Sequence, residues 1–125
     1  MKKILLALLL PLLLNACDQP EDYAGLYTYS SDNPPFVSDY NLTLHPDGTF
    51  KLTNFEDQEC YSYTLEAEGK WVAKANSITF DVNENPNNSE SLKSILEDSK
   101  PTIENDVIKL KQSYDDLELT KEQNQ

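Results

Sequence analysis

The sequence predicts an all-β domain, a small antiparallel meander or barrel of about seven or eight strands with one short helix near residues 89–98. Three observations predict it. Short segments alternate apolar and polar residues with a period of two, which is the pattern of half-buried strands. Turn-forming residues separate nearly all of these segments, so successive strands run antiparallel. A helical spacing occurs at Leu92, Ile95 and Leu96, where Ser89 can cap the start and Pro101 bars continuation.

The first strand is Gly25-Leu26-Tyr27-Thr28-Tyr29. Tyr40-Asn41-Leu42-Thr43-Leu44 and Phe50-Lys51-Leu52 follow, with Pro46-Asp47-Gly48 between them. A two-residue loop of Asp47-Gly48 would set Leu44 opposite Lys51 and bring charge to the core face. A loop of Pro46 to Gly48 instead pairs Leu44 with Phe50 and Leu42 with Leu52, with Gly48 at the left-handed position such loops require. The next strand, 60–67, directs Tyr61, Tyr63, Leu65 and Ala67 to the core and leaves Cys60, Ser62, Thr64 and Glu66 on the other face. Gly69 marks a turn into strand 70–75. A turn at Asn76-Ser77 then pairs Ala75 with Ile78, Ala73 with Phe80 and Trp71 with Val82. Residues 83–88 are polar and contain Pro86, so they form a loop. Ile108 with Leu110, and Leu117 with Leu119, give two more strands before a polar tail at 121–125. Closing this meander into a barrel removes its exposed edges.

Residues 1–16 differ from the remainder. They hold twelve apolar residues, and the 109 residues from Cys17 on are only 33% apolar. Seven Tyr and one Trp keep that stretch in the globular class, because each aromatic ring buries a large area. The chain has 10 Lys and no Arg; two Lys lie in the leader, leaving 8 against 22 acids, a formal charge of −14. A field of that sign repels phosphate backbones, so nucleic acid is excluded as a partner and a basic protein is favoured.

Met1-Lys2-Lys3 precedes eleven residues, 4–14, without a polar side chain. As a helix they would span roughly 16 Å, about half a hydrocarbon core, which fits a secretory signal rather than an anchor. The block ends in Leu14-Asn15-Ala16-Cys17. This resembles the lipobox of bacterial lipoproteins, although Asn15 stands where Ala, Ser or Thr is more usual. The resemblance implies that residues 1–16 are removed and that Cys17 becomes an acylated N-terminus, carrying palmitate-type chains into membrane lipid. Residues 17–24 then form a lipidated tether, and 25–120 a single domain. Asp18 resembles the signal that retains enteric lipoproteins in the inner membrane, which implies a lipid-anchored protein facing the periplasm, with the inner membrane favoured over the outer.

Gly25-x-Tyr27, Leu42-x-Leu44-x-x-Asp47-Gly48-Thr49-Phe50, Gly69-x-Trp71 and Ile78-x-Phe80 together are similar to small lipocalin-like lipoprotein barrels, including those of the copper-resistance envelope sensors. That family's Cys-x-x-Cys is missing from residues 30–37 here, so its thiol chemistry does not carry over.

The candidate chemistry is sparse. His45 has no second His or Cys at metal-ligand spacing, so no metal and no cofactor is expected. Glu66 with Glu68 on one strand face, and Asp115 with Asp116 in a turn, are paired acids of the kind that chance supplies among 22. Asp81-x-Asn83-x-Asn85 opens like a calcium loop, but Pro86 and Leu92 replace its Gly and Glu. With Cys17 acylated, Cys60 has no internal partner and is expected to be a buried or inert thiol, with an intermolecular bridge or a reactive group as the alternatives. Tyr27, Tyr29 and Tyr40 belong to a tyrosine cluster and are candidates for a ligand or partner surface. The reading is a non-enzymatic binding module of the envelope: an accessory, sensor or immunity-type protein for a basic partner. The alternative is a carrier of a small apolar ligand in a lipocalin-like cavity.

Overall fold

The computed structural model describes residues 20–33, 36–112 and 116–123. Eight antiparallel strands close into a barrel in which each pairs with its sequence neighbours and β8 returns to β1. They are β1 (Gly25–Asn33), β2 (Phe36–Leu44), β3 (Thr49–Asp57), β4 (Ser62–Lys74), β5 (Ser77–Val82), β6 (Thr102–Glu104), β7 (Val107–Lys111) and β8 (Asp116–Lys121). A one-turn helix, α1 (Pro20–Tyr23), precedes β1, and α2 (Glu90–Asp98) joins β5 to β6. Among the described residues no helix is long and apolar enough to cross a membrane.

The β2–β3 hairpin has the expected register, with Leu44 opposite Phe50 and Leu42 opposite Leu52. Gly48 closes its loop at φ +91°, a conformation that a side chain would strain. Asp47 accepts from the Thr49 amide at 2.9 Å and from its hydroxyl at 2.7 Å. Those two bonds hold the Asp47 carboxyl below the usual carboxylate range.

Three local expectations are corrected. Gly69 is not a turn: 62–74 is one continuous strand, β4, and Gly69 lies inside it opposite both Phe50 and Val82. A Cβ there would sit 2.0 Å from the Asp81 carbonyl oxygen, so glycine is required by close backbone approach rather than by chain reversal. The β4–β5 turn is Ala75-Asn76, which pairs Ala73 with Ile78 and Trp71 with Phe80, a slip of two residues that keeps every side chain on its expected face. Tyr61 and Tyr63 keep the core-facing parity of β4 but are 61% and 39% exposed, because the apolar interior ends before the strand does. The expected strand count survives only by compensation, since 60–67 and 70–75 merge while β6 is additional.

Barrel closure depends on α2. β5 and β6 meet at one paired position, Ser77 opposite Thr102, with flanking bonds from the Ile78 amide to the Pro101 carbonyl and from the Ile103 amide to the Asn76 carbonyl. Beyond that point α2 packs chiefly against β5 and places Leu92 and Leu96 in the core at 1% and 0% exposure. As expected, Ser89 caps the helix, its hydroxyl accepting the Leu92 amide. The Glu97 carboxylate accepts the Val82 amide at 2.9 Å, occupying a donor that a paired β6 would otherwise have taken.

Leu96→Ala should therefore cost about 2–5 kcal/mol in urea unfolding, as for a truncated core leucine. Tyr61→Ala, on a ring that covers no core, should change stability by no more than about 0.5 kcal/mol. A large loss in Tyr61→Ala would place that ring inside the fold.

Candidate functional site

The strands alternate direction, so the barrel has two distinct ends. At the entry end lie α1, the turns at 45–48, 75–76 and 105–106, and the close of β8. The other end, the mouth, carries the β3–β4 hairpin, the outer ends of β1 and β2, and the start of α2. The registers of β1 to β4 stack their core-facing residues in rungs from one end to the other. One rung is Tyr27, Leu42, Leu52 and Ala67, all buried. The next toward the mouth is Tyr29, Tyr40, Asn54 and Leu65; beyond it come Ser31, Ser38, Glu56 and Tyr63; outermost are Phe36 and Tyr61. Along one inner face the chemistry thus passes from apolar to polar and then to exposed aromatic.

The sequence-based candidates fall in different places. Tyr27 is not a surface residue: it is 1% exposed, in the buried rung, with its hydroxyl donating to the Tyr23 carbonyl at 2.6 Å. Its ring fills the space between core and α1, so it contributes to packing rather than to recognition. Tyr29 and Tyr40 are half-buried below the mouth, with ring centroids 6.0 Å apart and a 60° tilt. Cys17, Asp18 and Asp115 lie outside the described residues. Asp116 opens β8 instead of sitting in a turn. Glu66 and Glu68 are on the outer wall, 3.6 and 4.0 Å from the Lys51 ammonium, so their pairing is with a lysine rather than with each other. The expectation of a buried Cys60 is corrected: the residue is exposed, because it stands in the two-residue tip of the β3–β4 hairpin, beyond the barrel wall.

Two residues absent from that reading anchor the mouth. Asn54 is 4% exposed, and its side-chain amide donates to the Asp39 carbonyl at 3.2 Å and to Glu56 Oε2 at 2.8 Å. The Ser38 hydroxyl donates to the same Glu56 oxygen. Both donors use Oε2, and among the described residues no lysine lies within ion-pair distance of Glu56. Glu56 is therefore an inward-facing carboxylate, oriented by hydrogen bonds through one oxygen, with no cation opposite it. Burial raises the Tyr40 hydroxyl above the ordinary tyrosine value and the Glu56 charge adds to the rise, while hydrogen bonds with Gln112 and Ser38 oppose it. Tyr63 is raised for the same two reasons, partial desolvation first and Glu56 second. The signal was present in the sequence: after Phe50 and Leu52, the core parity continues through Asn54 and Glu56 while Phe55 takes the solvent side.

Other features of the barrel do not converge on chemistry. Phe50 meets Phe80 edge-on at 5.0 Å, so side chains fill the lumen between them. A surface cleft of about 610 Å³ beside the mouth runs between α2 and the end of β7, lined by Ser94, Asp98, Ser99, Lys111 and Gln112 among others. The Ser99 hydroxyl is buried there without a hydrogen-bond partner among the described residues. Among the described residues no group of three or more His, Cys, Asp or Glu could hold a metal ion.

At the entry end, burial, with smaller contributions from Asp106 and Tyr23, pushes the Tyr27 hydroxyl up to about 12. Because the folded state holds this proton more tightly, the contribution is complete below the unfolded value near pH 10 and is lost as pH rises toward 12. A shift of this size corresponds to a loss on the order of 2 kcal/mol. Urea midpoints should decline between pH 10 and 12, and Tyr27→Phe should flatten that decline. An equal slope in the variant would contradict the assignment.

No protein-family model matches the chain, and no curated protein or solved structure matches it either.

Proposed function

We propose that the chain is a lipoprotein acylated at Cys17, facing the periplasm, whose barrel is a non-catalytic docking module for a basic partner. The observation that carries this reading is the placement of the chain's entry and the mouth at opposite ends of the barrel. Two residues separate Cys17 from α1, and the three chain steps between Cys17 and Pro20 reach at most about 10 Å. Tyr23 of α1 reaches the Ala75 carbonyl at the entry-end turn and packs against the core, so the body of the protein begins at residue 20 and leaves only a short tether. A barrel held this way keeps its entry end next to the bilayer and turns Glu56 and the exposed aromatics outward.

The charges agree with attachment through acyl chains. Glu21, Asp22, Glu104 and Asp106 crowd the entry end and would be repelled by anionic headgroups, so the barrel surface itself has little affinity for the membrane. Two or more acyl chains supply stable anchoring without it. Asp18 favours the inner membrane in an enteric-type host. The likeness to lipocalin-like lipoprotein barrels belongs to the same reading: it rests on turn and core residues and assigns no ligand.

Cells expressing the tagged wild type or Cys17→Ala, grown with radiolabelled palmitate, test both halves. The wild type should take up label and, after extraction from envelopes, retain a basic protein that high salt releases. Cys17→Ala should lose the label and accumulate uncut precursor. Label persisting in Cys17→Ala would refute the anchor, and a wild type that retains nothing salt-releasable would refute the docking role.

A further inference from the structure

We propose that the mouth of the barrel is the docking surface itself, and that it receives an arginine side chain of a basic protein, with Glu56 as the pairing carboxylate and Tyr61 and Tyr63 as the stacking faces. This rests on the docking-module reading above and specifies its site. Glu56, Ser38 and Tyr63 occupy one rung of adjacent strands, and Phe36 and Tyr61 lie beyond them on the same inner face. Phe36, Tyr61 and Tyr63 are exposed by 50%, 61% and 39%. Large aromatic rings left open on one face, beside polar residues, are characteristic of an interaction surface rather than of a wall facing solvent.

Three observations select the occupant. The first is charge. Residues 36–40 and 54–65 carry Asp39, Glu56, Asp57 and Glu59 and no lysine, so a second copy of this chain or any acidic partner would be repelled. The second is the state of Glu56. Ser38 and Asn54 fix its Oε2 from within the barrel, and among the described residues no cation answers its charge. A carboxylate held in place before binding loses little conformational freedom when a cation arrives. The third is ring geometry. Tyr61 and Tyr63 are stacked with centroids 6.0 Å apart and planes 18° from parallel, next to the carboxylate. A guanidinium can pair with a carboxylate in its plane while its flat face lies on an aromatic ring, a combination that a lysine ammonium does not match. Lys111, at the end of β7 in the neighbouring cleft, forms no ion pair with Glu56 and leaves that carboxylate to an incoming cation.

The test titrates the acylated full chain, isotope-labelled in detergent–lipid micelles, with an end-capped octapeptide alternating arginine and serine, followed by amide NMR. Shifts should concentrate in residues 36–40 and 54–65. Glu56→Gln should weaken binding at least about tenfold, since it keeps the acceptor for Ser38 and Asn54 but removes the charge. Tyr61→Ser, at a ring that covers no core, should weaken it severalfold with the fold unchanged. Glu104→Gln at the entry end removes the same charge far from the mouth and should leave affinity within twofold. An equal loss in Glu104→Gln, or shifts spread over the outer wall, would reduce the effect to net charge and overturn the proposal. Equal binding of the lysine analogue would overturn the arginine assignment. The two readings can fail separately. If envelopes yield a basic partner that Glu56→Gln retains as well as wild type, the mouth is wrong and the docking module stands. If they yield none while the peptide still requires Glu56, the mouth stands and the docking module falls.

Discussion

The fold depends on α2 filling the wedge where β5 and β6 part. A barrel of short strands leaves an open edge wherever two neighbours diverge, and here they diverge after a single paired position. Leu92 and Leu96 supply the missing apolar wall, and Glu97 accepts the amide of Val82 on the open edge. The 83–89 loop that leads into the helix is fastened to β4 in turn: the Asn83 amide donates to the Glu68 carbonyl at 2.9 Å and the Ser89 amide to the Glu66 carbonyl at 2.8 Å. Helix cap, loop bonds and core leucines therefore act as one unit, which replaces several rungs of sheet pairing.

With the β5–β6 side closed by a helix, β1 to β4 can be longer than the barrel strictly needs. Their inner face begins as core, with Tyr27, Leu42, Leu52 and Ala67, and ends as a polar and aromatic opening around Glu56. The register forces this arrangement, because a residue on the core parity of a strand must point inward even after the apolar interior has ended. Asn54 mediates the change. It is buried, and it bridges the Asp39 carbonyl to the Glu56 carboxylate, so the polar floor of the mouth has hydrogen-bond partners on the core side. The apolar core lies at one end of the same strands and the polar and aromatic opening at the other.

Much of this was legible in the residues. The odd-length loop at Pro46 to Gly48 followed from asking which register keeps Lys51 off the core, and the helix followed from Ser89, the leucine spacing and Pro101. What escaped had physical causes. Gly69 reads as a turn because glycine usually relieves backbone conformation, whereas here it relieves a clash with the Asp81 carbonyl across the ladder. The β4–β5 turn was displaced because Ala75 takes φ +56°, an unusual conformation for alanine, and a two-residue slip preserves parity, so alternation alone cannot see it. β6 spans only three residues, too few for a period to register. Tyr27 and Tyr40 carry the same side chain at neighbouring rungs, one sealed and one near the opening, and composition does not distinguish them. The mouth was nonetheless visible as an anomaly: Asn54 and Glu56 on the core parity, with Phe55 outside.

The central claim is that parity, and Asn54 reports on it directly. The account predicts that the Asn54 side-chain amide protons are protected from solvent exchange and give NMR cross-relaxation to Ser38 and Tyr40, while the Phe55 ring shows only wall contacts. Rapid exchange of those protons, with the Phe55 ring in contact with Leu42 or Tyr27, would mean that this part of β3 is turned by one residue. Glu56 would then lie on the outer wall and the barrel would have no such mouth.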